Sequence, residues 1–202
     1  MDRLSQQIEF LIELDKLKSV IRRSYLTHGE RRENSAEHSW HIVLAALTLA
    51  EYANEPVDIG HVIKLLLLHD IVEIDAGDTF IYDVAGKLDQ ADRETLAAQR
   101  IFGLLPADQG AQFLALWQEY EARATPEARF ARTMDRLMPV LHNCYTQGRG
   151  WQENSVHQGQ VLAVNCIMEE GSAALWQFIQ GKIQESVDTG YLPAAQADHR
   201  LS

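Results

Sequence analysis

Residues 62–73 read Val-Ile-Lys-Leu-Leu-Leu-Leu-His-Asp-Ile-Val-Glu, an apolar run that ends in three ionisable side chains. Apolar residues on every face are typical of a helix buried at the centre of a bundle. Burying His69, Asp70 and Glu73 costs free energy unless something compensates them, and a divalent cation would do so. Successive helical residues are about 100° apart, so His69 and Asp70 can both reach an ion lying against the helix, with Glu73 one turn away. This stretch therefore predicts both a helical core and a candidate site.

Helical patterning continues through the rest of the chain, which contains no internal repeat and no convincing strand pattern. In residues 5–25, apolar side chains recur at steps of four, three and four, as on one face of a helix. Asn34 and Glu37 form a capping-box signature, and Thr125 followed by Pro126 marks another helix start. The predicted fold is all-α, with a loop at 75–87 and helices at 5–25, 34–53, 58–70, 89–105, 108–123, 125 to the break at 148–150, 155–169 and 172–187.

Composition is that of an ordinary globular domain. The chain has 202 residues, of which 46% are hydrophobic and 23% charged, so it is long enough to bury its own core. The longest apolar stretch, residues 42–50, is far shorter than the roughly 20 residues needed to span a bilayer. The N-terminus has no signal-peptide pattern, so we expect a cytoplasmic protein without a membrane partner.

Charge and cysteine content narrow the possible partners. The chain carries 18 basic and 29 acidic residues, a net charge of −11. This charge repels polyanions at long range and argues against a nucleic acid polymer as partner, whereas a small anion can still be held by local cations. Cys144 and Cys166 lack CxxC spacing, which favours two free thiols over a disulfide or a thiolate metal site.

Two further helices offer ligands for the same ion. The second predicted helix carries His38 and, three residues later, His41 on an otherwise apolar segment, and Asp135 is a carboxylate on an apolar helix face. A buried His next to an Asp is often only a hydrogen-bonded pair in the core, so His69 and Asp70 alone do not indicate a metal site. Three helices that each bring charge inward favour a metal site, in which His41 is the closest rival to His38.

These motifs resemble those of the HD-domain superfamily of metal-dependent phosphohydrolases, whose pattern is a His, then His-Asp, then a distant Asp. The branch that includes bacterial 5′-deoxynucleotidases and related eukaryotic HD-domain proteins is especially similar. The stretches that carry the resemblance are Arg32–Trp40, His69–Asp78 and Gly150–Asn154, and it extends over most of the chain. It implies a single HD domain over residues 1–202, with a metal-binding core at about 34–145 and C-terminal helices at 155–187 packed on it.

The resemblance also implies a helical bundle around a buried mononuclear site. One divalent ion (Mn, Co, Fe, Ni, Zn or Mg) would be bound by His38, His69, Asp70 and Asp135. Dinuclear HD enzymes have further histidines between the His-Asp pair and the last Asp, and residues 71–134 contain none. His142 and His157 come too late for that pattern, so we expect them to be core or surface residues.

The family pattern further implies catalytic roles for Glu73 and Asp78. Glu73 would orient or deprotonate the attacking water, because a carboxylate that is not a metal ligand can take its proton. Asp78 would help to position the substrate or the leaving oxygen.

A phosphate also requires cations, and arginines are concentrated just before His38. The family places a phosphate-contacting Arg near the end of its first helix, and Arg22 and Arg23 both fit that position. The deoxynucleotidase branch has an aromatic residue beside this Arg, where this chain has Ser24 and Tyr25. The preference for a 2′-deoxy sugar therefore stays open.

We expect a metal-dependent phosphohydrolase that removes phosphate from a small phosphomonoester, with a (deoxy)nucleoside 5′-monophosphate as first candidate. The alternative is a non-catalytic helical module that binds a nucleotide or a metal for regulation. A purely structural site needs neither Glu73 nor Asp78, so their presence favours catalysis. Redox chemistry at a di-iron centre is disfavoured by the missing histidines.

Relatives in the family are commonly dimers, which implies a homodimer.

Overall fold

The computed structural model describes residues 1–194, and helices dominate them. Two short strands, β1 (Ile21–Tyr25) and β2 (Arg32–Asn34), pair antiparallel as a hairpin. The predicted all-α fold is confirmed, and within residues 1–194 this hairpin is the departure from it. The helices are α1 (Arg3–Leu14), α2 (Ser35–Leu49), α3 (Ile59–Leu68), α4 (Glu73–Ala76), α5 (Gln90–Phe102), α6 (Ala107–Ala122), α7 (Pro126–Tyr145), α8 (Arg149–Glu153), α9 (Gln158–Asn165), α10 (Met168–Gly171) and α11 (Ala173–Asp188).

The prediction of one helix over residues 5–25 is wrong at its C-terminal end. α1 ends at Leu14, a 3-10 turn covers Asp15–Ser19, and β1 follows. The β-branched Val20 and Ile21 favour extended backbone, and the partner strand β2 lies only a few residues further along the chain. The apolar stripe of α1 therefore continues through the 3-10 turn, while the residues after it join a hairpin.

The core lies where α2, α3 and α7 pack together. Ile42, Val62 and Met134, one from each of these helices, have no solvent exposure. α2 begins with the predicted capping box, in which Glu37 N donates to Asn34 Oδ1 at 2.9 Å and Asn34 N donates to Glu37 Oε2 at 3.1 Å. In space, the N-terminus of α2 lies beside the C-terminus of α3, since the rings of His38 and His69 are 5.9 Å apart. Polar side chains near these two termini therefore share one buried region beside α7.

Two helices of the C-terminal part, α10 and α11, pack against α7. Thr133 Oγ1 on α7 donates to the Met168 carbonyl oxygen at 3.1 Å, and Ile179 on α11 is fully buried. The predicted single domain extends to residue 202, and its last part, 195–202, lies outside the described residues. Among residues 1–194, no helix is long and apolar enough to cross a membrane.

Two predicted helix boundaries need correction in the C-terminal half. The helix predicted at 155–169 divides into α9 and α10. The break predicted at 148–150 lies at 146–148 instead, because α7 ends at Tyr145 and α8 begins at Arg149. Gly148 has a φ of +71°, and a Cβ there would lie 2.0 Å from the Tyr191 carbonyl oxygen. Glycine is required at this turn because any side chain would collide with that carbonyl group.

Candidate metal centre and its pocket

Three side chains from separate elements converge in the buried region beside α7. They are His38 from the first turns of α2, His69 directly after α3, and Asp135 from the middle of α7. Each offers one ligand atom, and the three atoms lie within 4.8 Å of one another. The Nε2 atoms of His38 and His69 are 3.1 and 3.7 Å from Asp135 Oδ1. The structure thus brings together three of the four predicted ligands.

The tautomer of His69 indicates that a cation fits between these side chains. Its Nδ1 lies 2.7 Å from the Leu66 carbonyl oxygen, which only accepts, so Nδ1 carries the hydrogen. Nε2 then faces Asp70 Oδ1 at 2.9 Å and Asp135 Oδ1 at 3.7 Å. Burial alone would lower the pKa of His69, but the two carboxylates outweigh it and raise the pKa to about 10. The raised pKa means that the carboxylates hold positive charge at Nε2, as a second proton on the ring. A divalent ion in place of that proton would meet the same ring nitrogen and carboxylates, so the residues present fit a metal.

Asp70, the fourth predicted ligand, lies at the edge of this cluster. Its Oδ1 is the atom next to His69, and its Oδ2 accepts a hydrogen bond from Arg22 Nη1 at 2.8 Å. Burial opposes ionisation of Asp70, but His69 and then Arg22 outweigh it and lower the pKa of the carboxyl group. Asp70 is therefore an anion placed beside His69, with one oxygen held by an arginine.

Glu33, for which the sequence predicts no role, lies beside the second ring nitrogen of His38. Glu33 is 1% exposed, and its Oε1 lies 3.4 Å from His38 Nδ1. Burial opposes ionisation of Glu33, but His142 and His38 lower the pKa of its carboxyl group. Metal-binding histidines usually direct their second ring nitrogen at a carboxylate, which fixes the ring and raises its basicity. The signal was available in the Arg32–Trp40 stretch, where Glu33 is the acid just before the capping Asn34.

We expect Glu33→Gln to weaken metal binding by about 10 to 100-fold, the usual effect of removing such an outer carboxylate. The amide keeps the volume of Glu33 but removes the charge that holds His38. Titration of the purified protein with metal against a chelating indicator measures the affinity. Glu37→Gln is the matched control, because a Gln at this position still completes the capping box and Glu37 pairs with Arg31 at the surface. Equal affinities in the two variants would contradict the role of Glu33.

The remaining candidate histidines lie outside the three-residue cluster. His41, the rival to His38, packs its ring against His142 with centroids 5.6 Å apart. His142 is buried, with Nδ1 3.7 Å from Glu33 Oε1. His157 caps α9 by accepting a hydrogen bond from Gln160 N at 3.4 Å. His38 is therefore the α2 histidine that faces Asp135.

Glu73 begins α4 and is buried next to the cluster. Ser35 Oγ donates to its Oε2 at 2.6 Å, and Arg22 Nη1 lies 3.7 Å from its Oε1. Burial and the nearby Asp70 carboxylate raise the pKa of Glu73 well above its usual value. A carboxylate that binds a proton readily beside a cation site is suited to accept a proton during hydrolysis.

Asp78 follows Gly77 at the start of the loop after α4. Its Oδ1 lies 3.7 Å from Arg22 Nη1, and both residues line one pocket together with Glu73. Burial raises the pKa of Asp78, although Arg22 opposes the shift. The structure therefore places both proposed catalytic acids within reach of the same arginine.

The hairpin separates the environments of the two candidate phosphate-binding arginines. Arg22 is 11% exposed and lies among the carboxylates of Glu33, Asp70, Glu73 and Asp78 at 2.8 to 3.7 Å. Arg23 is exposed, lines the same pocket and lies over the Phe80 ring at 5.6 Å.

Sequence reasoning also missed the groups that surround Asp135. Tyr120 donates its hydroxyl hydrogen to Asp135 Oδ2 at 3.1 Å. Arg132 stacks on the Tyr120 ring at 4.3 Å and donates to Glu121 Oε1 at 3.1 Å. Arg136 on the next turn of α7 lines the pocket as well. These residues come from segments without a recognisable motif, so only their packing reveals them.

The chain is similar in sequence and in fold to known proteins. The family model of the HD domain matches residues 14–176. A solved structure described as a predicted metal-dependent phosphohydrolase from Magnetospirillum magnetotacticum MS-1 superposes with a TM-score of 0.90 at 52% identity, over 95% of this chain and 96% of that one.

Curated relatives are similar over a shorter range. Human 5′-deoxynucleotidase HDDC2 is 27% identical over 135 residues, which are 66% of this chain and 65% of the human protein. Mouse 5′-deoxynucleotidase HDDC2 is 30% identical over 136 residues, 66% of each chain. The chain thus aligns with about two thirds of the length of the curated relatives it matches.

Proposed function

The chain belongs to the HD-domain family, and we propose that it is a metal-dependent phosphohydrolase that removes phosphate from a nucleoside 5′-monophosphate or a similar small phosphomonoester. The observation that carries this proposal is the buried cluster of His38, His69 and Asp135 with Glu73 and Arg22 beside it. The relatives named 5′-deoxynucleotidase and the solved phosphohydrolase support the same reaction class.

The side chains divide the work of phosphate ester hydrolysis among them. We assign His38, His69, Asp70 and Asp135 to the metal, which when bound lowers the pKa of water and polarises a phosphoryl oxygen. The mixed nitrogen and oxygen donor set suits several divalent transition metals. Glu73 takes the proton of the attacking water, and Ser35 holds its carboxyl group in place.

The other polar groups act on the substrate. Asp78 positions the substrate or the leaving oxygen, because it lies in the pocket beside Glu73 and Arg22. Arg22 contacts the phosphate, since it is the cation held beside Asp70, Glu73 and Asp78. The net charge of −11 opposes a polyanionic polymer, whereas one terminal phosphate meets a local cation at contact distance.

A screen of phosphorylated metabolites tests the proposed reaction. We expect phosphate release from nucleoside monophosphates with at least one of Mn, Co, Fe, Ni, Zn or Mg, and slower turnover of oligonucleotides and cyclic dinucleotides. Faster turnover of either class of diester than of every monoester would contradict the proposal. Binding of nucleotides without any hydrolysis would favour a regulatory module instead.

The two arginines are expected to differ in their effect on a monophosphate. Arg22→Gln should lower kcat/KM for the best nucleoside monophosphate by about 10 to 100-fold, because a hydrogen bond to a charged group contributes about 1.5 to 3 kcal/mol. Arg23→Gln should change this value less, since Arg23 is exposed at the pocket rim. Steady-state kinetics measure both values, with circular dichroism to check folding. A larger effect of Arg23→Gln would reverse the assignment.

We also propose that the protein is a cytoplasmic homodimer. Cys144 and Cys166 are free, as thiols are in a reducing compartment. α1 exposes Leu4, Ile8 and Leu11, which are spaced as one helical face and are 67%, 50% and 58% exposed. A second copy of the chain would cover such an apolar face. Sedimentation equilibrium of the purified protein tests the dimer, and a monomer at micromolar concentration would contradict it.

A further inference from the structure

Arg136 is a cation in the pocket wall that lacks a hydrogen-bonded partner among residues 1–194. Its side chain is only 23% exposed, and its Nε is buried and makes no hydrogen bond in that part of the chain. The nearest carboxylate oxygen there, Asp135 Oδ2, lies 3.9 Å away. A buried N–H group that has no acceptor costs free energy, so an anion that accepts from Arg136 Nε would be favoured there. Arg132, one turn earlier, also has a buried Nε without a hydrogen bond, but its guanidinium group donates to Glu121 and lies over the Tyr120 ring, whereas the Arg136 side chain makes no hydrogen bond within residues 1–194.

Lys87 and Arg23 add two further cations to the same pocket. Neither has a carboxylate oxygen within 4.0 Å among the described residues, although acids outnumber bases in the chain by 29 to 18. Burial and the neighbouring Arg136 guanidinium lower the pKa of Lys87. Like charges placed close together repel one another, and an anion bound between them would remove that repulsion.

The phosphate that is cleaved does not account for these three cations. Its charge is met by the metal and by Arg22, which Asp70, Glu73 and Asp78 already hold beside the proposed ligands. Arg136, Lys87 and Arg23 are additional positive charges on the wall of the same pocket. Their number fits a ligand with more negative charge than a simple monoester.

We propose that Arg136 and Lys87, with Arg23 at the rim, form a second anion-binding subsite, and that the preferred substrate is a nucleotide carrying a second phosphate group. This inference rests on the proposed phosphohydrolase function and specifies its substrate class. The phosphate on the metal is cleaved, and the second phosphate binds Arg136 and Lys87 and remains on the product.

The test compares substrates that share a base and differ in their phosphates. The probes are a nucleoside 5′-monophosphate, the corresponding 3′,5′- and 2′,5′-bisphosphates and the 5′-diphosphate, each assayed at the same metal concentration. We expect kcat/KM for at least one doubly phosphorylated probe to exceed that of the monophosphate by about 10-fold or more, the effect of one added charged hydrogen bond. A ratio of one or less for all three probes would overturn the inference.

Variants locate the subsite. Arg136→Gln and Lys87→Gln should each lower the ratio of kcat/KM for the preferred doubly phosphorylated probe to that for the monophosphate by about 10-fold. Lys64→Gln is the matched control, because Lys64 is an exposed lysine of α3 outside the pocket, and its removal should leave the ratio unchanged. An unchanged ratio in Arg136→Gln, in a variant whose circular dichroism matches the wild type, would also overturn the inference.

Failure of the inference and failure of the proposed function give different results. If the monophosphate is hydrolysed without any preference for a second phosphate, the subsite is wrong and the phosphohydrolase function stands. If no probe is hydrolysed with any metal, the proposed function fails, and the subsite is then tested by the melting temperature of the protein. A bisphosphate that raises the melting temperature more than the monophosphate does, with the difference lost in Arg136→Gln, supports the subsite. Inorganic phosphate is also added to the monophosphate assay. If it speeds hydrolysis in the wild type and not in Arg136→Gln, the subsite binds a free anion, which contradicts a doubly phosphorylated substrate.

Discussion

Asp70→Asn is expected to lose both the bound metal and the hydrolytic activity. The substitution replaces a charged oxygen donor by a neutral amide, which is a weaker ligand for a divalent ion. It also removes the anion between His69 Nε2, at 2.9 Å, and Arg22 Nη1, at 2.8 Å. The loss should therefore exceed the roughly 10 to 100-fold effect of changing an outer residue. Elemental analysis of the purified protein measures the metal, and phosphate release measures turnover.

Two further variants make this result interpretable. Asp135→Asn should behave like Asp70→Asn, because Asp135 Oδ1 faces both histidines. Asp75→Asn should keep metal and activity, since Asp75 is ion-paired with Arg100 at the surface. Full metal content and wild-type turnover in Asp70→Asn would show that Asp70 is not a ligand. Retained metal with lost turnover would leave Asp70 a role in orienting Arg22 only.

Glu73→Gln should keep the metal and slow hydrolysis by about 10²-fold or more, as expected for the loss of a general base. The amide has the same volume and can still accept the hydrogen bond that Ser35 Oγ donates at 2.6 Å, but it cannot take a proton at neutral pH. Metal content and kcat, measured on the same preparation, separate binding from catalysis.

Ser35→Ala is the companion variant for Glu73. It leaves the carboxylate in place and removes the hydrogen bond that holds it, so we expect a smaller fall in kcat than in Glu73→Gln and unchanged metal content. If Glu73→Gln loses the metal first, Glu73 is a ligand and its proposed role as base is wrong. If it keeps wild-type turnover, another group accepts the proton.

Local patterns carried much of the fold prediction. The helical periodicity around 62–73, the capping box of Asn34 and Glu37, and Thr125 before Pro126 are interactions between residues a few positions apart. Such signals can be read from the chain directly, and the all-α prediction based on them is confirmed. At residues 20–25, where a helix was predicted and a strand is found, the competing interaction is the pairing of β1 with β2, which helical periodicity does not report.

The sequence by itself therefore determined the helical class and the residue types that a metal and a phosphate require. The tertiary structure decided which of those residues meet. It placed His38 rather than His41 beside Asp135, set Glu33 behind His38, and buried Arg22 against Asp70, 48 positions away, while leaving Arg23 at the rim. The physical reason is that charge compensation acts through space at contact distance, between side chains that only the packed core brings together.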